Sequence, residues 1–257
     1  MDYRKNLKVL NILFNAVSRP ELIKIIETAS TLSETVTVSF TNVSGLVSAH
    51  RQPTIIEALN SSTINAVDGM PICWIGKFLG IKDCERNSGP DPMKEIITHG
   101  LGKGWRHFFY GTTEETLSLL NKKLIEQFPG INIVGMFAPP FRELTNQEDK
   151  QIINTINRAK PDYVWIGLGA PKQDIWMMHH KSLIQNCRML GVGAAFNFFA
   201  GTVNRSPKWM SNHGLEWLYR FISEPRRLWK RYLIGNILFI YYLLTDIRST
   251  YRIWGNY

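Results

Sequence analysis

The sequence predicts an α/β protein, a mainly parallel sheet with helices on both faces. Two observations carry that prediction. Short apolar and β-branched runs, at 36–41, 64–67, 107–110, 131–136, 163–168 and 189–192, alternate with longer segments such as 113–127, 146–158 and 172–185. In the longer segments apolar residues recur at helical spacing, and alternation of this kind buries a sheet between two helical layers. Polar residues follow several of the runs: Thr41-Asn42, Asp68-Gly69, Gly111-Thr112 and the stretch from Gly169 to Gln173. Open α/β sheets bind ligands beyond the carboxyl ends of their strands, so four loops are expected to converge on one edge.

The 257 residues suit one medium-sized domain with an added terminal element, which divides into a core, 1–205, and an appendage, 206–257. A hydrophobic fraction of 44% against 20% charged residues is that of a globular chain, and no repeat or low-complexity segment interrupts it. Cys73, Cys84 and Cys187 are odd in number, match no zinc-ribbon spacing and follow no apolar leader. They read as buried thiols of a protein in a reducing, cytosolic compartment.

The net charge of +9 is unevenly placed. From Arg205 onward nine basic residues face only Glu216, Glu224 and Asp246, so +6 of the excess lies there. Such a patch attracts phosphate, whether of nucleic acid, anionic lipid or a diphosphate substrate. In the same stretch Pro207 is placed to open a helix and Pro225 to break it. Residues 233–244, LIGNILFIYYLL, are nearly all apolar yet only about half as long as a bilayer span requires. Flanked by arginines, Trp and Tyr, they resemble an interfacial helix; the alternative is a terminal helix packed on the core.

Four groups of residues can carry chemistry. Asp68, in NAVDGMP, follows a predicted strand and can serve as a general base or can cap the helix starting near Pro71. In ERNSGPD, Arg86 can grip a diphosphate and Gly89 lets the backbone approach an anion, with Asp91 nearby; a surface salt-bridged loop is the alternative. GLGAPKQD, at 167–174, offers a tight strand-to-helix turn through Gly169, the charge of Lys172 and the amide of Gln173. It is neither a Walker loop nor a dinucleotide fingerprint. Asp83-Cys84-Glu85 lacks the Asp-x-Asp form of a metal motif. His179 and His180 point about 100° apart on a helix and do not share a metal comfortably.

Taken in order, Thr41-Asn42, VDGMP, ERNSGPD, FFYG, GLGAPKQD, GVGAAFNFFAGTVNRSPKWM and GLEWLYRFISEPRRLWKRYL resemble the WecG/TagA/CpsF glycosyltransferases, family 26. The resemblance implies an inverting, metal-independent transferase with a Rossmann-like core, no cofactor and a C-terminal appendage. It implies a UDP-activated N-acetylmannosamine, its uronic acid or a related hexose as donor. The implied acceptor is an undecaprenyl-diphosphate-linked sugar destined for teichoic acid, enterobacterial common antigen or exopolysaccharide. The family's proposed base falls on Asp68, its conserved Asn on Asn42, and its substrate-contacting Arg and Gln on Arg86 and Gln173. Its arginine-rich appendage falls on Arg220, Arg226, Arg227 and Arg231. Two departures stand out: Asn197 where the family carries Asp, and Asp174 where Glu is common.

The expectation is a single in-line displacement at the cytoplasmic face of the inner membrane. Asp68 takes the acceptor proton, Arg86 and the appendage arginines stabilise departing UDP, and the appendage contacts anionic lipid as a membrane-associating element. A membrane-linked monomer and a homo-oligomer that masks the apolar tail are both compatible with the sequence. The alternative of another class is a non-catalytic nucleic-acid-binding protein with a basic tail. An epimerase or dehydrogenase needs a nicotinamide fingerprint near the N-terminus, which the sequence lacks.

Overall fold

Local sequence chemistry sets most helix starts in the computed structural model, which describes residues 5–29, 34–207, 209–210 and 213–253, with Arg227 described by its main chain alone. Ser18 caps α1 (Arg19–Thr28), and Asn42, which follows β3 (Val36–Thr41), caps α2 (Val43–Arg51) by accepting from the Gly45 N–H at 3.1 Å. Proline opens α3 (Pro53–Ser61), α4 (Met70–Phe78) and α5 (Pro90–Gly100) in their first turns, where no N–H partner is lost. Thr113 caps α6 (Glu114–Gln127), and Thr145 with Glu148 forms a reciprocal capping box on α7 (Asn146–Ala159).

Six strands form one parallel sheet. With β4 (Ile64–Val67), β5 (Arg106–Gly111), β6 (Asn132–Phe137), β7 (Tyr163–Gly167) and β8 (Arg188–Gly191), the order is β4-β3-β8-β7-β5-β6. Every pairing in it is parallel, as the strand–helix alternation predicts. The period of two shows which residue faces which helical layer. Tyr163 and Trp165 of β7 join Phe109 and Leu190 under α1, α5, α6 and the short α9 (Ala195–Ala200). Val164 and Ile166 join Phe108 and Tyr110 under α7 and α8 (Lys172–His180). That is a doubly covered, Rossmann-like sheet.

The predicted strands fall within a residue or so of the observed ones, but the helix expected over 172–185 ends at His180. Asn186 adopts a left-handed φ of 54°, and the chain turns there to enter β8. Absent from the sequence reading is a second, three-stranded sheet. Strands β1 (Leu7–Val9) and β2 (Ile12–Phe14) form a hairpin whose turn, Leu10-Asn11, has positive φ at both residues. Its third member is β9 (Tyr251–Arg252), which pairs antiparallel with β1. The two ends of the described chain are thereby held together, with the Ile253 N–H donating to the Asn6 carbonyl at 2.9 Å.

The chain from residue 206 wraps back over the carboxyl edge of the large sheet. The helix expected to open at Pro207 falls partly outside the described residues. Beyond it come α10 (Glu216–Ser223), α11 (Pro225–Trp229), one wide helical turn at 230–234, and α12 (Gly235–Thr245). Pro225 breaks the path as expected, because it starts a new helix two residues after the previous one ends. One face of α12 enters the core, where Phe239 is buried among Leu46, Ile72 and Cys73, and Tyr242 stacks on His50. Its other face leaves Ile237, Ile240, Tyr241 and Leu244 exposed. No helix among the described residues is long and apolar enough to cross a membrane.

Candidate active site

Asp68 emerges at the carboxyl end of β4 because its N–H still follows the sheet, donating to the Thr41 carbonyl at 3.0 Å, while the next residue turns away. Gly69 is the N-cap of α4, and no side chain caps that helix, so Asp68 does not. Its Oδ1 is buried and accepts no hydrogen bond among the described residues. Burial pushes the Asp68 carboxyl up to about 7, with the charge of Glu216 acting in the same direction; Arg86, Ser88 and Arg220 pull the other way and do not cancel the shift.

Arg86 lies across this carboxylate. Its Nη2 stands 3.5 Å from Asp68 Oδ1 and 2.7 Å from Glu216 Oε2, and its Nε donates to the Asp68 carbonyl at 3.4 Å. The three side chains are only 18%, 15% and 12% exposed for Asp68, Arg86 and Glu216. Glu216 opens α10, and Arg220 follows one turn later on the same face, its guanidinium 5.9 Å above the Phe198 ring. Arg220 Nε is buried and makes no hydrogen bond among the described residues. Sequence reasoning used Glu216 only as one acid in a basic tail. Its available signal was position, an acid at a helix start four residues before an arginine.

Asp91 is occupied differently. Arg205 holds it with two hydrogen bonds of 2.5 and 2.7 Å, and Arg19 Nη2 stands 3.2 Å away. Burial pushes its carboxyl up, but Arg205 and then Arg19 and Arg86 outweigh burial and hold it below the ordinary carboxylate value. Gly89, between these two sites, packs so closely that a Cβ would come 3.1 Å from the Val192 carbonyl.

The other predicted residues divide into two groups. Thr41 is buried, its hydroxyl donating to Asn65 Oδ1 at 2.7 Å, and Asn42 caps α2. Gly69 abuts that helix start, a Cβ there falling 3.6 Å from the Val43 nitrogen. Gln173 is buried on α8; its amide donates to the Gly191 carbonyl at 2.5 Å, while its Oε1 has no partner among the described residues. Gly169 holds a left-handed φ of 80° just before α8, Lys172 is exposed in the first turn, and the next acid, Asp174, is buried under the Ser39 hydroxyl at 2.7 Å. Gly111 ends β5 with φ 129°, and a Cβ there would meet the Gly167 main chain at 2.7 Å, so the glycine lets the two strands approach closely.

Arg231 reaches the start of α2, its Nε donating to the Ser44 hydroxyl at 3.1 Å. Together with Lys230, Arg51, Gly45, Pro171 and Leu238 it lines a cleft of about 430 Å³ between α2, the loop before α8 and the C-terminal segment. Arg226 is exposed on α11, and the Arg227 side chain lies outside the described residues. Among the described residues no group of three or more His, Cys, Asp or Glu side chains gathers around one point. The structure thus brings Asp68, Arg86, Arg220 and the unpredicted Glu216 together, sets Arg231 over the neighbouring helix start, pairs Asp91 with Arg205, and sets Gly111 against the Gly167 main chain.

Similarity to known proteins places the chain in a family. A Bacillus subtilis (strain 168) protein named N-acetylglucosaminyldiphosphoundecaprenol N-acetyl-beta-D-mannosaminyltransferase is 30% identical over 69% of this chain and 67% of its own length. Proteins of the same name from Bacillus spizizenii and Staphylococcus aureus (strain MW2) are 27% and 26% identical, over 72% and 67% of this chain and 70% and 66% of their own lengths. The model of the glycosyl transferase WecG/TagA/CpsF family matches residues 7–253, nearly the whole chain, and the protein belongs to that family.

Proposed function

We propose that the protein transfers N-acetylmannosamine, or a closely related hexose, from its UDP-activated form to an undecaprenyl-diphosphate-linked N-acetylglucosamine. The names carried by the relatives support the sugar and the acceptor. The observation that carries the chemistry is the Asp68 carboxyl, held at a strand end with an ionisation near 7 and two arginines beside it. A carboxylate poised near neutrality has the proton affinity of an effective general base.

In this reading Asp68 takes the proton of the acceptor hydroxyl as that oxygen bonds to the anomeric carbon. The bond from that carbon to the UDP oxygen breaks on the opposite face, which inverts the centre. UDP leaves with the bonding electron pair, and its growing charge meets Arg86 and Arg220, preorganised in a partly dry site. With cations supplied by side chains, the displacement requires no divalent metal. The cleft along α2 suits a diphosphate: Arg231 and Lys230 supply charge toward the helix N-terminus, Arg51 supplies charge from its last residue, and Val47, Ile234 and Leu238 supply apolar walls. Gln173 Oε1, buried and without a partner among the described residues, is assigned as an acceptor for a sugar hydroxyl or amide, which would have to displace its present cover. Asn42, Lys172, Arg226 and Arg227 are assigned to the same substrate edge.

Residues 206–257 act as an appendage that meets the cytoplasmic face of the inner membrane. The exposed Ile237, Ile240, Tyr241 and Leu244 of α12 are flanked in sequence by Arg231 and Arg248, the pattern of an element that rests in the headgroup region. The test of the function is UDP release across a panel of UDP-hexoses, with a short-chain polyprenyl-diphosphate-linked N-acetylglucosamine and EDTA present. Acceptor-dependent release from the N-acetylmannosamine donor is expected. Release that needs no acceptor, or that EDTA abolishes, contradicts the proposed chemistry.

A further inference from the structure

Asp68, Arg86 and Glu216, from three parts of the chain, meet at one point, and their spacing is unequal. A guanidinium can serve two carboxylates with short charge-assisted bonds, typically about 2.7–2.9 Å each. Among the described residues Arg86 makes a short bond to Glu216 at 2.7 Å and stands off from Asp68 at 3.5 Å. Both distances belong to the same nitrogen, Nη2, so the guanidinium is drawn toward Glu216. Asp68 Oδ1 accepts no hydrogen bond among the described residues.

From this geometry we propose that Glu216 is a positioning residue for the transfer reaction: from the first turn of α10 it holds the Arg86 guanidinium off the Asp68 carboxylate and so keeps that carboxylate available to take a proton. The inference rests on Asp68 being the base. It makes the C-terminal segment more than a source of cations. The same helix brings one anion, which restrains Arg86, and one cation, Arg220, four residues further on. A core from which α10 is withdrawn loses that restraint, and Arg86 closes on Asp68. An arginine in contact lowers a carboxylate by about 1–3 pH units, below the range in which it accepts a proton well.

Among the described residues the groups facing Asp68 are Arg86 and Ser88 from the loop after α4, Glu216 and Arg220 from α10, and the Cys73 thiol of α4, which feels the Asp68 charge. Of these Glu216 is the one negative charge, and its field acts in the same direction as the restraint. Its own surroundings suit the role. It sits at a helix start, where the backbone N–H groups favour a carboxylate, and burial leaves its ion pair with Arg86 weakly screened.

The experiment is the pH profile of kcat/KM for the acceptor in the full-length chain, with Glu216→Gln and Glu216→Asp beside wild type and Asp68→Asn. Glutamine keeps the size and an oxygen but not the charge. Its acidic limb is expected to move down by about one pH unit, with kcat on the alkaline plateau falling about 10-fold and KM for the donor little changed. Aspartate keeps the charge but withdraws it by one methylene, and is expected between glutamine and wild type in both quantities. A folded Glu216→Gln enzyme with the wild-type limb and kcat overturns the inference. So does a folded Glu216→Asp enzyme identical to wild type if the glutamine variant does not fold. A wild-type profile whose acidic limb survives in Asp68→Asn overturns the underlying assignment of the base instead, so the two failures are told apart.

Discussion

Asp68 and Asp91 stand at the same edge of the sheet, on either side of the loop 85–91, and their surroundings drive them in opposite directions. Asp91 is met by Arg205 with two short hydrogen bonds and by Arg19, and its proton affinity falls below the ordinary value. Asp68 is more deeply enclosed, the Arg86 guanidinium beside it is shared with Glu216, and its carboxyl rises to about 7. Two carboxylates whose environments push them apart are suited to different work. Asp91 fixes Arg205, where the chain leaves the core for its C-terminal segment; Asp68 is left able to exchange a proton. An anion saturated with cations holds structure together, whereas one denied a full set keeps chemical capacity.

Substitution separates the two roles. The largest effect is expected from Asp68→Asn, which keeps shape and removes the proposed base: kcat falls about 10²–10⁴-fold while the fold persists, as circular dichroism and a turnover assay on one preparation will check. Asp91→Asn leaves the proposed base untouched, so its effect on kcat is expected to be far smaller.

Stability reverses the ranking in sign. A folded-state value near 7 against the ordinary 3.8 means that the folded protein holds the Asp68 proton more tightly than the unfolded chain does. The associated stability is complete below the unfolded value and is lost as pH rises through 7. Asp68→Asn, neutral throughout, is therefore expected to be more stable than wild type at roughly pH 8, by about 1–4 kcal/mol, and equal to it below the unfolded value. Denaturant melts at both pH values measure this.

Asp91 carries the opposite linkage, since its contribution is present above the unfolded value and lost as pH falls. Asp91→Asn is expected to cost about 1–2 kcal/mol at neutral pH, kept modest by the 35% exposure of the Arg205 side chain. Melts that show equal losses for both substitutions at neutral pH break the comparison.

Much of this edge was legible in the sequence, because strand ends and turns are local. Asp68 follows four apolar and polar residues that form β4 within their expected bounds, and ERNSGPD announces a turn by its Ser-Gly-Pro. What the sequence could not show is which charges meet. Arg86 and Glu216 are 130 residues apart, and Asp91 and Arg205 are 114 apart, so no spacing rule links them. The hairpin β1–β2 escaped notice because each strand has three residues, below the length at which alternation is readable. Its completion by β9 is a pairing between opposite ends of the chain. The apolar run 233–244 was legible as a helix with a membrane-like composition, but its division into a buried face at Phe239 and an exposed one at Ile237 and Leu244 depends on where the core stands.

The most direct test of the central claim is the pH dependence of kcat/KM for acceptor-dependent UDP release by the wild-type protein, followed over roughly pH 5 to 9. A single ionisation near 7 on the acidic side, absent from the residual activity of Asp68→Asn, is the predicted result. A profile that stays flat to the acid end, or a limb that persists without the Asp68 carboxyl, contradicts the assignment of Asp68 as the base.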